Sequence, residues 1–112
     1  MKKLEIIIRA ENLEKLKEVL DVNGAKGLNI TNIMGYGNQK GYTKIYRGSE
    51  YQVNLLPKIK VETVVSDDMA DKISDQVVKE IHSGEVGDGK IFVSTIDEAV
   101  RIRTNERGED AL

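Results

Sequence analysis

The stretch from residue 58 to residue 96, KIKVETVVSDDMADKISDQVVKEIHSGEVGDGKIFVSTI, identifies the fold class of this chain. Residues 58–65 alternate between apolar and polar side chains, which is typical of a half-buried β-strand. Ser66 or Asp67 then provides the N-cap of a predicted helix. The apolar stripe of this helix consists of Met69, Ile73, Val77 and Ile81. Glycines end the helix, and residues 90–96 form the next predicted strand.

Toward the N-terminus, the pattern predicts two more strands and one more helix. Residues 3–9 alternate as a strand whose apolar face is formed by Leu4, Ile6 and Ile8. Asn12 offers an N-cap for a helix with apolar residues at helical spacing. Gly24 and Gly27 end that helix, and a further strand runs from about Leu28 to Met34.

The predicted order of elements is therefore β-α-β-β-α-β. Right-handed crossovers turn this order into an α+β, ferredoxin-like fold, in which a four-stranded antiparallel sheet carries both helices on one face. The other face would expose an apolar patch that includes Ile7, Val64 and Phe92. A symmetric oligomer is the simplest cover for that patch. After the last strand we expect a short helical turn around residues 97–100, an extended piece at 101–104 and a polar tail.

Composition excludes several classes of function. The 112 residues fit one domain, and 17 basic against 19 acidic residues leave a net charge of −2. This balance does not provide the basic excess that nucleic-acid binding needs. Without cysteine, disulfides and thiolate chemistry are excluded, and the single histidine, His82, cannot build a histidine-rich metal site. No apolar run approaches the ~18 residues of a membrane span, and the N-terminus turns charged too soon for a signal peptide. A cytoplasmic protein is expected.

A polar segment punctuated by glycines, residues 35–56, separates the second and third predicted strands. It contains all four tyrosines of the chain. Connections without structure beyond ~12–15 residues are uncommon in compact domains and are usually functional. The alternative interpretation is a long β-hairpin with the tyrosines packed on its strands. The pattern leaves both interpretations open.

Residues 85–90, EVGDGK, join the second helix to the last strand. Their glycines allow backbone N–H groups to converge into an anion-binding nest, and Lys90 adds a positive charge. The order of elements differs from that of a Walker loop, and an ordinary tight turn is the alternative interpretation.

Two further groups of side chains could bind ligand. Arg101 and Arg103 would point the same way in an extended segment, and paired guanidinium groups suit phosphate. A solvated edge is the alternative. Lys58 and Lys60 share a strand face with Glu62, where a structural Lys–Glu pair is the alternative. No side chains combine a nucleophile with a base, so the sequence predicts a protein that is not an enzyme.

Three separated motifs resemble the PII nitrogen-regulatory signal-transduction family of the GlnB and GlnK type. Residues 46–51, YRGSEY, with LPK at 56–58, resemble the family's T-loop and its exit. GDGKIFV, at 87–93, resembles its B-loop, and RIRT, at 101–104, with Glu106, resembles its C-terminal loop. The start of the T-loop is matched by Gly35, Gly37, Gln39, Lys40 and Gly41. The resemblance spans the whole chain.

The resemblance implies one PII-like domain over residues 1–112, with the T-loop at about 37–55, the B-loop at about 82–90 and the C-terminal loop at about 101–112. It implies a homotrimer that binds ATP or ADP between subunits, with Mg²⁺ and 2-oxoglutarate as effector ligands. An ammonium transporter, glutamine synthetase or another transporter or enzyme would be controlled through the T-loop. The alternatives are a divergent adenine-nucleotide sensor with another target and, less favoured, a small phosphohydrolase.

The resemblance also implies roles for individual residues. Nucleotide would be bound by Ile7, Asn29, Gly35, Gly37, Asn38, Gln39, Glu62, Val64, Gly87, Asp88, Gly89, Lys90, Arg101 and Arg103. 2-Oxoglutarate would be bound by Gln39, Lys40, Gly41, Lys58 and Gly87, and Gln39 would also help to hold Mg²⁺. Tyr51 stands where some members are uridylylated and Ser49 where others are phosphorylated, while Arg47 would contact a target. The chain departs from common family residues at Asn29, where threonine is frequent, and at Asn38, where arginine is frequent.

Overall fold

The computed structural model describes the backbone of residues 1–36, 42–46, 48–53 and 55–112, and the side chains outside the range 37–54. The elements, in chain order, are β1 (Lys2–Ile8), α1 (Leu13–Val22), β2 (Asn29–Tyr36), β3 (Tyr42–Tyr46), β4 (Ser49–Val53), β5 (Leu55–Val65), α2 (Asp67–Ile81) and β6 (Lys90–Thr95). Short 3₁₀ helices cover Ala10–Asn12 and Gly108–Ala111.

Four strands form one antiparallel sheet in the order β2-β5-β1-β6. With α1 and α2, this sheet confirms the predicted ferredoxin-like arrangement. The core lies between the sheet and the helices and consists of Leu4, Ile6, Ile8, Leu16, Val19, Leu20, Ile59, Val61, Val65, Ala70, Ile73, Val77 and Ile81. The alternation of β1 and β5 and the helical stripe of α2 therefore bury the predicted apolar residues.

The predicted helix caps have different outcomes. Ser66 is the N-cap of α2, where its Oγ accepts a hydrogen bond from the backbone N–H of Met69 at 3.4 Å. Asn12 precedes α1, but its side chain makes no capping hydrogen bond. It ends a 3₁₀ turn whose N–H bond to the Arg9 carbonyl already orders the start of α1.

The opposite face of the sheet is mixed rather than purely apolar. Lys3 pairs with Glu5 at 3.3 Å and with Glu62 at 3.4 Å, and Lys60 pairs with Glu62 at 3.2 Å. The predicted structural Lys–Glu pair is therefore present. Phe92 shares this face through its register position opposite Glu5 and is 51% exposed.

Within the long polar segment, the described backbone forms a β-hairpin. β3 pairs with β4 in a separate two-stranded sheet, with Tyr42 opposite Val53 and Tyr46 opposite Ser49. Gly48, with φ of +80°, lies at the hairpin turn. The pairing supports the hairpin interpretation for the backbone, and whether the tyrosines pack on its strands stays untested.

The C-terminal segment differs from its prediction. Residues 97–100 are not helical, and Val100 instead forms an antiparallel bridge with Arg107. Residues 102–104 form a turn rather than an extended piece. The turn is possible because Asn105 adopts φ of 62°, a left-handed conformation that asparagine tolerates better than most residues. Among the described residues, no helix is long and apolar enough to cross a membrane.

Candidate functional site

The loop that joins α2 to β6 is organised around the carboxylate of Asp88. Its Oδ2 accepts the backbone N–H groups of Ser83 at 2.8 Å and Gly84 at 3.0 Å, and its Oδ1 accepts the Ser83 hydroxyl. These bonds, led by the one from the Ser83 side chain and aided by the charge of Arg9, lower the pKa of Asp88 to about 2. The carboxylate is thus a structural acceptor that holds the loop together.

Arg9 is a second organiser of this loop that the sequence analysis did not identify. Its Nη1 lies 3.2 Å from Asp88 Oδ1, and its Nη2 donates to the carbonyl oxygen of Val86 at 2.7 Å. The sheet register explains the contact. Ile7 lies opposite Lys90 in the β1–β6 pair, so continuing that antiparallel register places Arg9 beside Asp88. Knowledge of the register would have been the only signal for this contact.

We expect the loop to lose stability in acid through Asp88. Since its folded pKa lies below the ordinary value of 3.8, its stabilising effect is complete above about pH 4 and is lost as the pH falls toward 2. Asp88→Asn loses part of the acceptor set, so it should melt below wild type at pH 7, and this difference should shrink between pH 4 and 2. Thermal melts at several pH values measure it.

Asp75→Asn, which removes one exposed charge from α2, is the matched control and should show no comparable loss at pH 7. A deficit of Asp88→Asn that stayed constant from pH 7 to pH 2 would contradict this role for the carboxylate.

The backbone conformation of this loop depends on three glycines. Gly84, Gly87 and Gly89 have φ values of +87°, +100° and +109°, a region that side chains with a Cβ rarely adopt. At Gly89, a methyl group would collide with the carbonyl oxygen of Ile7 and lie 2.9 Å from its carbonyl carbon. The loop therefore packs directly against the backbone of β1.

Lys58 reaches the same loop from β5. Its side chain is buried, and its Nζ donates to the carbonyl oxygen of Gly87 at 2.9 Å. A Cβ at Gly35 would lie 3.2 Å from Lys58 Cγ, so Gly35 leaves room for the lysine stem. Burial, followed by the charge of Arg9, lowers the pKa of Lys58. The structure thus brings together Gly35, Lys58 and the loop that precedes β6. Lys90, the first residue of β6, is exposed.

A second group of predicted residues lies at another part of the sheet. Asn29 is opposite Glu62 in the β2–β5 pair. These two residues and Val64 line a cavity of about 320 Å³, together with Gly27, Leu28 and Leu112. Val64 is six residues along β5 from Lys58, which corresponds to roughly 20 Å in a strand. Within one chain, this cavity therefore lies apart from Gly87, the loop residue that Lys58 contacts.

The two predicted arginines lie in the C-terminal turn. Arg101 Nη1 donates to Glu106 Oε1 at 2.9 Å, and its Nη2 donates to the main-chain oxygen of Leu112 at 2.9 Å. Arg103 is exposed and has no ion pair among the residues that the structure describes. Because the segment turns, the expectation that extended backbone aligns the two side chains is wrong.

The remaining predicted residues lie in or beside the long segment. Gly37, Asn38, Gln39, Lys40, Gly41 and Arg47 lie outside the described residues. Ser49 and Tyr51 belong to β4, for which the backbone alone is described. In the described ranges, no group of three histidine, cysteine or acidic side chains is placed to hold a metal ion.

Comparisons with known proteins agree with this arrangement. The profile of the family described as "Nitrogen regulatory protein P-II" matches residues 1–106. The chain belongs to the P-II family. Proteins named "Nitrogen regulatory protein P-II" from Rhodobacter capsulatus and Cereibacter sphaeroides are 48% and 46% identical to it over 112 residues, which cover 100% of each chain.

A solved structure, that of B. subtilis GlnK, superimposes with a TM-score of 0.80 at 39% identity and covers 99% of this chain and 97% of that one. The P-II family consists of nitrogen-regulatory signal-transduction proteins, so the chain is a regulator and not an enzyme. The expectation drawn from its three motifs is confirmed at the level of the family and the fold.

Proposed function

We propose that this P-II family member is a homotrimeric sensor that binds ATP or ADP in clefts between its subunits. The separation of the two groups of predicted residues carries this proposal. The loop with Gly87, Gly89 and Lys90 offers backbone N–H groups and a cation suited to phosphate. The cavity at Asn29, Glu62 and Val64 would accept the base. The loop with Gly87, Gly89 and Lys90 is called the phosphate loop below. In a cleft between two copies, one subunit would supply the phosphate loop and its neighbour would supply Arg101 and Arg103.

The effector ligand would bind beside the same loop. Lys58 and Gly87, which are already in contact, are the described members of the proposed 2-oxoglutarate site. An ammonium group beside a ligand carboxylate would form a charge-assisted hydrogen bond in place of its present bond to the carbonyl. Gln39, Lys40 and Gly41 would complete the site, and Gln39 would help to hold Mg²⁺ with the nucleotide phosphates.

The outer sheet face supports assembly. Phe92 is half exposed there, and the charged residues around it already form ion pairs with one another. Packing this face against other copies would bury the apolar area without leaving those charges unpaired. The closed trimer would remove the exposed patch.

The long polar segment, residues 35–56, would transmit the ligand-binding signal to a target. Its β3–β4 hairpin pairs with itself rather than with the main sheet. Ligand held at Gln39 and Lys58 would bias the base of this hairpin, and Arg47, Ser49 and Tyr51 would meet a target or a modifying enzyme. We propose a cytoplasmic regulator of an ammonium transporter, glutamine synthetase or another transporter or enzyme.

Light scattering and calorimetric titration together test this proposal. Light scattering at micromolar concentration should give about three times the 12.5 kDa chain mass. Titration with ATP, ADP and ATP–Mg²⁺ with 2-oxoglutarate should show saturable binding, and 2-oxoglutarate should bind only when nucleotide is present. A monomer would contradict the shared cleft. Absence of nucleotide binding would contradict the sensor function.

A further inference from the structure

The C-terminal turn places a carboxylate directly on one of the proposed phosphate-binding arginines. The backbone N–H of Arg101 donates to the carbonyl oxygen of Glu106 at 2.9 Å, and the N–H of Asn105 donates to the carbonyl oxygen of Arg101 at 2.7 Å. The left-handed conformation of Asn105 closes the turn. This backbone geometry sets the side chains of Arg101 and Glu106 next to each other.

Both terminal nitrogens of Arg101 are engaged within the chain. Nη1 donates to Glu106 Oε1 and Nη2 to the Leu112 main-chain oxygen, each at 2.9 Å. The same Glu106 oxygen accepts the Thr104 hydroxyl at 2.7 Å, which holds the carboxylate in place. The Thr104 hydrogen bond and then the charge of Arg101 lower the pKa of Glu106, so the carboxylate is ionised at neutral pH.

A guanidinium group recognises carboxylate and phosphate through the same fork of N–H donors. We infer that Glu106 is an internal competitor for Arg101: its carboxylate pairs with the guanidinium group, and a nucleotide phosphate would have to displace it. The inference rests on the proposed nucleotide site. A residue that contacts the ligand raises affinity, whereas the negative charge of Glu106 would lower the affinity of the site for nucleotide.

The same contact connects Arg101 to the proposed base cavity. Leu112 accepts from Arg101 and also lines the cavity with Asn29 and Val64. When Arg101 turns to a phosphate, the segment that borders the cavity loses one of its attachments. Phosphate capture and access of the base are thereby coupled through one side chain.

Glu106→Gln tests the inference because glutamine retains the length of the side chain and an oxygen for Thr104 but removes the charge. The side chains of Arg101 and Glu106 are 33% and 43% exposed, so water weakens their pairing. We expect Glu106→Gln to bind ATP and ADP about two- to fivefold more tightly than wild type in calorimetric titration.

Glu109→Gln is the matched control, since it removes one negative charge from the same segment and, among the described residues, Arg101 forms its ion pair with Glu106 and not with Glu109. It should leave affinity within experimental error. In an Arg101→Gln background, Glu106→Gln should no longer change affinity, because the group for which it competes is absent. These two results together separate competition at Arg101 from a general gain of positive charge.

The outcomes distinguish the inference from the function on which it rests. Wild-type binding with equal or weaker binding by Glu106→Gln overturns the inference alone, and weaker binding would make Glu106 a positioning residue. An equal gain in Glu109→Gln also overturns it. If wild type and every variant fail to bind nucleotide, both the proposed function and the inference fail.

Discussion

Gly89→Ala is expected to destabilise the protein by ~2–4 kcal/mol, because it combines a forbidden backbone conformation with a steric collision. The residue has φ of +109°, and a methyl group there would meet the carbonyl oxygen of Ile7. β1 is a central strand, so it cannot withdraw without disturbing its pairs with β5 and β6. The melting temperature should fall by about 10 °C or more, and nucleotide affinity should fall with it because the phosphate loop is displaced.

Two other glycines separate the causes of this effect. Gly108 has φ of +65° but open space around it, so Gly108→Ala should show backbone strain alone, about 1 kcal/mol. Gly27 has neither a positive φ nor a neighbour within 4 Å of a Cβ, so Gly27→Ala should melt close to wild type. A melting temperature for Gly89→Ala within a few degrees of wild type would show that the loop does not pack on β1 as described.

Lys90→Ala and Arg103→Ala are each expected to weaken binding of ATP and ADP by about 10- to 100-fold. Each variant would remove one of the proposed charge-assisted hydrogen bonds to phosphate, and such a bond contributes ~1.5–3 kcal/mol. Both side chains are exposed, so stability should be retained. Titration calorimetry gives the affinities, and thermal melts verify that the variants are folded.

Lys72→Ala removes one exposed positive charge from α2 and serves as the control for long-range electrostatics. It should bind nucleotide like wild type. If Lys90→Ala and Arg103→Ala also bound like wild type, any nucleotide site would lie elsewhere on the protein. If only Arg103→Ala bound nucleotide like wild type, the proposed phosphate loop would bind phosphate without a contribution from Arg103.

Local patterns in the sequence were sufficient for the fold. The alternation in residues 58–65 and the helical stripe of α2 place apolar side chains on single faces, and that placement forces a sheet covered by two helices. The sequence also supplied the residues of the proposed phosphate loop, since Gly-Asp-Gly-Lys combines the backbone freedom and the positive charge that anion binding needs. Helix and strand periods depend on neighbours within four residues, so a single sequence contains them.

The sequence was less informative where one stretch of residues is compatible with two backbone conformations. Residues 35–56 suited both an irregular loop and a hairpin, and the backbone pairing of β3 with β4 supports the second. Residues 101–104 suited an extended strand, yet Asn105 turns the chain back. Asparagine is compatible with both conformations, so the choice depends on the bridge between Val100 and Arg107.

The sequence by itself determined the order of elements, the buried faces and the residue types available for an anion site. Only the tertiary structure decided which of these residues meet. Arg9 contacts Asp88, 79 positions away, because the register of β1 with β6 brings them together. Lys58 contacts Gly87 because the buried lysine needs a hydrogen-bond acceptor for its ammonium group, and the fold places the Gly87 carbonyl oxygen within reach. Such contacts follow from strand register and packing, which depend on the whole chain and are not encoded in any single stretch of it.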